Sequence, residues 1–197
     1  MLKKSVFALL FALTAIAVNN AFADTTLKFE KAVYFTGKGD QTGSSLTVRD
    51  GKLYAAGNET VTNSRGLLTA YNLPPSATPL FNSLWQSEVG LLSSDFFTGT
   101  AVSNEGIYLS GQMSSKGQSA PAIVKYPISP SKTKLNPPLW VVKPSLDKTY
   151  SAGSFYGLAV TEEENSTVIY AVGYAQFGKT NQTAILTKYD SSGKLVW

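Results

Sequence analysis

Apolar and polar residues alternate with a period of about two through most of the chain, and no stretch after the N-terminus has a helical period. The alternation recurs in three copies, about 55 to 62 residues apart, and each copy places a Tyr, a Gly, a Tyr and a Trp in the same order. The copies begin at Tyr54, Tyr108 and Tyr170. Repeats of this length predict stacked supersecondary units made of strands.

Each copy predicts four short antiparallel strands, because its apolar runs are rich in β-branched and aromatic residues and are separated by turn residues such as Asp50-Gly51. The predicted strands lie at 46–48, 52–56, 67–71 and 84–89 in the first copy, at 100–102, 106–110, 122–126 and 139–142 in the second, and at 158–160, 168–172, 184–189 and 194–197 in the third.

A four-stranded sheet cannot bury both of its faces alone, and such sheets stacked around an axis form a β-propeller. The predicted fold is therefore all-β, with propeller blades at 42–89, 97–143 and 155–197 and an additional N-terminal strand at 27–35. Propellers ordinarily close with about four to eight blades, so three repeats predict an incomplete one. The favoured interpretation is the front part of a longer protein, and the alternative is a chain that covers its open edges by self-association.

The recurring aromatic residues are expected to pack between sheets, because one ring per repeat at a fixed strand position is typical of a core. Trp85, Trp140 and Trp197 are accordingly predicted to be core residues. The segments 50–51 and 190–193 resemble pieces of calcium loops but lack further oxygen ligands, and they predict plain turns.

The N-terminus, 1–23, predicts a cleaved secretory signal peptide. It begins with Lys3 and Lys4, continues as an apolar run from 5 to 18, and ends in Ala21-Phe22-Ala23 before Asp24. The apolar run is shorter than the roughly 20 residues that cross a bilayer. We therefore expect a secreted or periplasmic protein whose repeat region is 24–197, without a membrane span.

Composition narrows the chemistry. The chain has no Cys and no His, which excludes thiol nucleophiles, Ser-His-Asp triads and His metal sites. Its formal charge of +4 falls to +2 without the leader, and no basic cluster predicts nucleic-acid binding. Paired carboxylates remain open for glycoside hydrolysis, but Glu162, Glu163 and Glu164 are expected to form a solvated loop. We predict no catalytic residue, metal or cofactor.

The third copy carries a more specific motif. Its segment 184–197 reads Ala-Ile-Leu-Thr-Lys-Tyr-Asp-Ser-Ser-Gly-Lys-Leu-Val-Trp and follows Tyr170-Ala171-Val172-Gly173. It resembles the bacterial β-propeller repeats grouped as SBBP-type, although Asn72 and Pro127 replace the Asp in the first two copies. That resemblance implies an exported bacterial scaffold without catalytic residues. A weaker similarity is to propeller repeats that bind pyrroloquinoline quinone, but no residue matches their calcium or catalytic positions.

One predicted face of the propeller collects aromatic and polar residues from loops between strands and between blades, a combination that suits a glycan or an extended peptide. The candidate binding residues are Arg65, Asp95, Phe96, Phe97, Tyr150, Phe155 and Tyr156. The competing interpretation is that these rings pack between blades. The predicted function is a non-catalytic scaffold that binds a glycan, peptide or protein. The alternative is the N-terminal part of a propeller enzyme, a quinoprotein dehydrogenase or a glycan-cleaving enzyme, with its active site elsewhere.

Overall fold

A computed structural model describes residues 39–60, 64–73, 83–89, 95–115, 118–128, 137–144, 150–163, 166–178 and 181–197. The predicted signal peptide at 1–23 and the predicted N-terminal strand at 27–35 lie outside these residues. Within them the regular secondary structure is β-strand throughout, which confirms the all-β class.

The strands form three antiparallel sheets, in each of which neighbouring strands follow one another in the sequence. The first sheet contains β1 (Asp40–Arg49), β2 (Lys52–Thr60), β3 (Ser64–Asn72) and β4 (Ser83–Val89). The second contains β5 (Phe96–Ser103), β6 (Gly106–Ser115), β7 (Gln118–Tyr126) and β8 (Trp140–Val142). The third contains β9 (Tyr150–Glu163), β10 (Ser166–Phe177) and β11 (Asn181–Asp190).

The third sheet differs from the prediction, because the segment 194–197 is not a fourth strand. It follows β11 with a single bridge between Tyr189 and Leu195. Beyond the bridge, the Val196 N–H donates to the Lys188 carbonyl at 2.7 Å, and the Lys188 N–H donates to the Trp197 carbonyl at 2.9 Å. The segment is therefore extended and paired, but its pairing is too short to make a regular strand.

The turns between the first two strands differ among the sheets. Asp50 and Gly51 have φ values of 50° and 67°, the geometry of a type I′ hairpin turn, which matches the right-handed twist of the strands it joins. In the third sheet β9 continues to Glu163, which pairs with Ser166. The prediction that Glu162 and Glu163 belong to a loop was therefore wrong, because the longer hairpin extends the strand through them.

Each sheet has a β-bulge in its first strand, opposite the glycine that recurs in every repeat. The bulged residues are Ser44, Thr98 and Tyr156, and the glycines opposite them are Gly57, Gly111 and Gly173. A bulge inserts one unpaired residue, which bends the strand and brings its backbone towards the partner strand.

The bulge explains why glycine recurs at this position. A Cβ atom added to Gly111 would overlap the carbonyl oxygen of Phe96 and would lie 2.8 Å from the Cα atom of Phe97. Added Cβ atoms at Gly57 and Gly173 would overlap the corresponding carbonyl oxygens of their own partner strands. Since these are backbone atoms held by the ladder, the sheet has no room for a side chain at the repeated glycine.

The sheets pack on one another in chain order, with β1 and β2 against β5, and β5, β6 and β7 against β9. One apolar core joins the first and second sheets and contains Tyr54, Ala56, Leu68, Ala70, Phe97, Val102, Ile107, Leu109, Met113, Ala122, Val124 and Tyr126. A second core joins the second and third sheets and contains Tyr108, Ile123, Phe155, Ile169, Ala171 and Tyr189. Five of the six repeated tyrosines are buried, as predicted, and Tyr170 is half-buried.

The three tryptophans do not share one environment. Trp140 is half-buried and packs against the second core, as predicted. Trp197 is 55% exposed, so its prediction as a core residue was wrong, because none of the described residues covers that side of the third sheet. The side chain of Trp85 lies outside the described part of the structure.

Replacing Gly111 by Ala tests the bulge. We expect Gly111→Ala to lower the free energy of unfolding by about 1–3 kcal/mol, because the new methyl group forces the backbone of β5 away from β6. Urea denaturation followed by far-ultraviolet circular dichroism measures this change.

The matched control is Gly157→Ala in β9, where the nearest atom to an added Cβ is a methyl group of Val172 at 3.0 Å. That side chain is half exposed and has space to move. Equal losses of stability in the two variants would contradict the role given to the repeated glycine.

Candidate functional site

The structure divides the seven predicted binding residues into three groups. Phe97 and Phe155 are fully buried and belong to the two cores, so their rings face neighbouring sheets rather than solvent. Asp95 is also buried. Phe96 and Tyr156 are accessible, with 40% and 62% of their surfaces exposed.

The third group contains Arg65 and Tyr150, of which the structure describes only the backbone. Arg65 belongs to β3 and Tyr150 begins β9, but the side chains of both lie outside the described part of the structure. Their predicted contribution to binding stays a prediction.

Tyr156 is one half of an aromatic pair that sequence reasoning missed. Its ring stacks on that of Tyr174, with centroids 5.5 Å apart and an interplanar angle of 28°. Burial raises the pKa of the Tyr174 hydroxyl, and the neighbouring Tyr156 hydroxyl raises it further. The available signal was the place of Tyr174 directly after the repeated Gly173, across the ladder from the bulge that contains Tyr156. We refer to Tyr156 and Tyr174 as the aromatic patch.

The corresponding positions of the first sheet hold polar side chains that bind the next sheet. Asn58, which follows the repeated Gly57, donates from Nδ2 to the Phe97 carbonyl at 2.9 Å and accepts the Phe97 N–H at Oδ1 at 2.8 Å. Its Nδ2 also contacts the Oγ of the bulged Ser44 at 3.0 Å. This amide therefore connects the first sheet to the backbone of the second.

The second sheet uses its bulged residue in a similar way, since the Thr98 hydroxyl donates to the Phe155 carbonyl of the third sheet at 2.6 Å. In the third sheet, Tyr156 stands at the position of Thr98 and Tyr174 at that of Asn58, so two rings occupy these places. The third sheet thus departs from the other two at the position where they hydrogen-bond to a neighbouring sheet.

A second group of side chains, in contrast, is repeated between sheets. In the second sheet Lys125 lies 3.1 Å from the Glu105 carboxylate and 5.3 Å from the centroid of the Tyr108 ring. That ring is tilted against Trp140 with centroids 5.9 Å apart. We refer to Glu105, Lys125, Tyr108 and Trp140 as the inner cluster.

The third sheet contains the same arrangement. Lys188 lies 2.8 Å from the Glu163 carboxylate and 5.4 Å from the centroid of the Tyr170 ring. That ring is tilted against Trp197 with centroids 6.1 Å apart. We refer to Glu163, Lys188, Tyr170 and Trp197 as the outer cluster.

The inner cluster has partners on the third sheet. The Thr167 hydroxyl donates to Glu105 at 2.8 Å. The Ser191 carbonyl accepts from Lys125 Nζ at 3.3 Å and from the indole N–H of Trp140 at 3.2 Å. Ser191 is held in place by a turn in which the Asp190 carboxylate accepts the backbone N–H groups of Ser192 and Lys194.

The contacts within the two clusters lower the pKa values of both carboxylates, Glu105 and Glu163. The hydrogen bond from Thr167 has the largest effect on Glu105 and lowers its pKa; burial opposes this shift, and the ammonium group of Lys125 adds to it. The hydrogen bonds from Lys188 and Tyr170 lower the pKa of Glu163, and the hydrogen bond to Glu163 in turn raises the pKa of Lys188. The Glu105 and Glu163 carboxylates are therefore ionised at neutral pH, and each lies in a salt bridge with a lysine above an aromatic ring.

Comparison of the chain with family models, curated proteins and solved structures gave no match. Over the ranges that the structure describes, no group of three or more acidic residues is placed to hold a metal ion. No helix within those ranges has the length and apolarity to cross a membrane.

The lowered pKa of Glu105 predicts a loss of stability in acid. Because the folded-state pKa lies below the unfolded value, this stabilisation is complete above the unfolded pKa of about 4.3 and is lost as the pH falls through the folded one. We expect Glu105→Gln to remove part of the fall in melting temperature between pH 6 and pH 3. Its contribution is at most about 1 kcal/mol, since the carboxylate side chain is 41% exposed.

Glu162→Gln is the control, because the nearest cationic atom, Arg49 Nη2, lies 3.7 Å from a carboxylate that is more exposed than that of Glu105. Thermal unfolding at several pH values compares both variants with the native sequence. An acid sensitivity that Glu105→Gln leaves unchanged would show that Glu105 does not hold the second and third sheets together.

Proposed function

We propose that this protein is an exported, non-catalytic β-propeller scaffold that binds a glycan, a peptide or a protein surface through the aromatic patch. The observation that carries the proposal is the stacked pair of the exposed Tyr156 and the half-buried Tyr174, at positions where the other two sheets carry polar residues.

The repeated packing of the three sheets supports the propeller arrangement. Each interface places the tyrosine of one sheet's second strand, Tyr54 or Tyr108, against apolar residues of the sheet that follows. Each sheet also bulges at the same place in its first strand. Units related by a constant step along the chain, with equivalent contacts at each step, generate a radial or superhelical stack of sheets.

The chemistry of the aromatic patch supports a binding role. Two stacked rings present a flat apolar surface edged by phenolic hydroxyls, which suits a sugar ring or an extended backbone. Phe96 lies on β5, which packs against β9, the strand that contains Tyr156. Because these rings are already in place, binding need not order them, which favours affinity.

The sequence of the leader supports export. A basic start, a short apolar run and a small-residue cleavage site precede Asp24. A chain without cysteine has no disulfides in an oxidising compartment, and its stability there depends on the cores between its sheets.

Tyr156→Ala tests the binding proposal. On a glycan and peptide array the native protein is expected to capture a ligand, and the variant is expected to bind it at least about tenfold more weakly, because half of the stacked pair is removed. Circular dichroism should remain unchanged, since this side chain is largely exposed.

Val48→Ala is the matched control, because Val48 is also half exposed but lies in β1, beside the turn rather than the bulge. Equal binding by Tyr156→Ala and the native protein would contradict the proposed site. Cleavage of an arrayed ligand would contradict the non-catalytic role.

A further inference from the structure

One face of the third sheet exposes residues that are buried in the other two. Leu186 pairs with Val172, as Leu68 pairs with Ala56 in the first sheet and Ile123 with Ser110 in the second. Leu68 and Ile123 are fully buried because the following sheet covers them, whereas Leu186 is 57% exposed. Val172 and Trp197 are about half exposed on the same sheet.

The outer cluster lies beside these exposed residues and already has the geometry of the inner cluster. Its ammonium-to-carboxylate distance is 2.8 Å, against 3.1 Å in the inner cluster. The corresponding pairs of rings differ by only 2° in interplanar angle, 55° against 53°. The inner cluster is completed by a hydroxyl and a turn carbonyl from the next sheet. In the outer cluster the hydroxyl of its own Tyr170 donates to Glu163 Oε1 at 2.6 Å, and among the described residues no turn carbonyl accepts from Lys188 Nζ or the Trp197 indole.

From this internal comparison we propose that the exposed face of the third sheet is the docking surface for a fourth sheet of the same repeat. That sheet presents a turn carbonyl to both Lys188 and the Trp197 indole. It also presents a threonine or serine hydroxyl to Glu163, which already accepts the Tyr170 hydroxyl at Oε1 and has further lone pairs. Its apolar residues cover Leu186 and Val172. The interface continues the two interfaces already present in the chain, and it rests on the successive packing of sheets rather than on ligand binding by the aromatic patch.

A second copy of this chain does not supply those groups. Thr167, which provides the hydroxyl to the inner cluster, lies three residues before Tyr170. The equivalent residue of the first sheet, three before Tyr54, is Gly51, which has no hydroxyl. Residues on the first sheet's opposite face, such as Leu67 and Tyr71, are moreover already buried. The occupant is therefore a further repeat with a hydroxyl before its tyrosine and an Asp-Ser-Ser-Gly type of turn after its third strand.

A tandem protein tests this directly. A copy of residues 141–197 is joined to Trp197 of the full chain, which preserves the native spacing because Trp140 and Trp197 hold the same place opposite their lysines. The copy carries Leu186→Glu, which places a charge on its own free face and distinguishes its peptides from those of the original third sheet. Hydrogen exchange with mass spectrometry then follows the two units separately.

We expect amide exchange in β10 and β11 of the original unit to slow by about tenfold or more in the tandem protein, because docking makes their opening part of a larger cooperative unit. Introducing Leu186→Glu into the original unit as well should abolish this protection. Thr167→Val in the copy should reduce the protection, since it removes the hydroxyl expected to donate to Glu163 while keeping the shape of the side chain.

Two results would overturn the proposal. The first is unchanged exchange in the original unit, whether the appended copy is folded or unfolded. The second is a dimer of the unextended chain in sedimentation equilibrium that Leu186→Glu dissociates, since the face would then bind a second copy. The two proposals are tested separately, because array binding is measured with Tyr156→Ala in the unextended chain, whereas exchange protection is measured with Leu186→Glu and Thr167→Val in the tandem protein.

Discussion

The structure depends on the burial of sheet faces against one another. Successive side chains of a strand point alternately to the two faces of its sheet. A single antiparallel sheet of this size cannot bury both faces by itself. Tyr108 and Ile123 of the second sheet are buried only because Ile169 and Ala171 of the third cover them. With no cysteine in the chain, the contact between sheets has no covalent substitute.

This packing requires that the sheets approach closely and in a constant orientation, and the bulge contributes to both. At Gly111 the bulged strand comes so near to its partner that only a hydrogen atom fits. Directly beside it, Thr98 is turned out of the ladder and donates to the Phe155 carbonyl of the next sheet. The β-bulge therefore explains both why glycine is required opposite it and how the bulged residue reaches the next sheet to form a hydrogen bond.

Much of the fold could be predicted from the sequence, because alternation, turn residues and the repeat all depend on local spacing. The Asp50-Gly51 turn and the strands on either side of it are examples. The binding residues were harder to predict, since adjacent residues such as Phe96 and Phe97 face opposite sides of a strand and the sequence does not reveal which side is covered. The Tyr156–Tyr174 pair requires knowledge of the bulge, which shifts the register by one residue.

Some residues of the third sheet match their counterparts in the other sheets and others differ, and we assign a different role to each group. Lys188 and Glu163 reproduce the ion pair that the second sheet uses at its interface with the third, so the simplest role for them is the same contact. Tyr156 and Tyr174 stand where Thr98 of the second sheet and Asn58 of the first hydrogen-bond to the backbone of the following sheet, and their rings stack on each other instead. A sheet docked on the outer cluster would therefore meet two stacked rings at that end of the third sheet, where the other two interfaces have a side-chain hydrogen bond to the backbone.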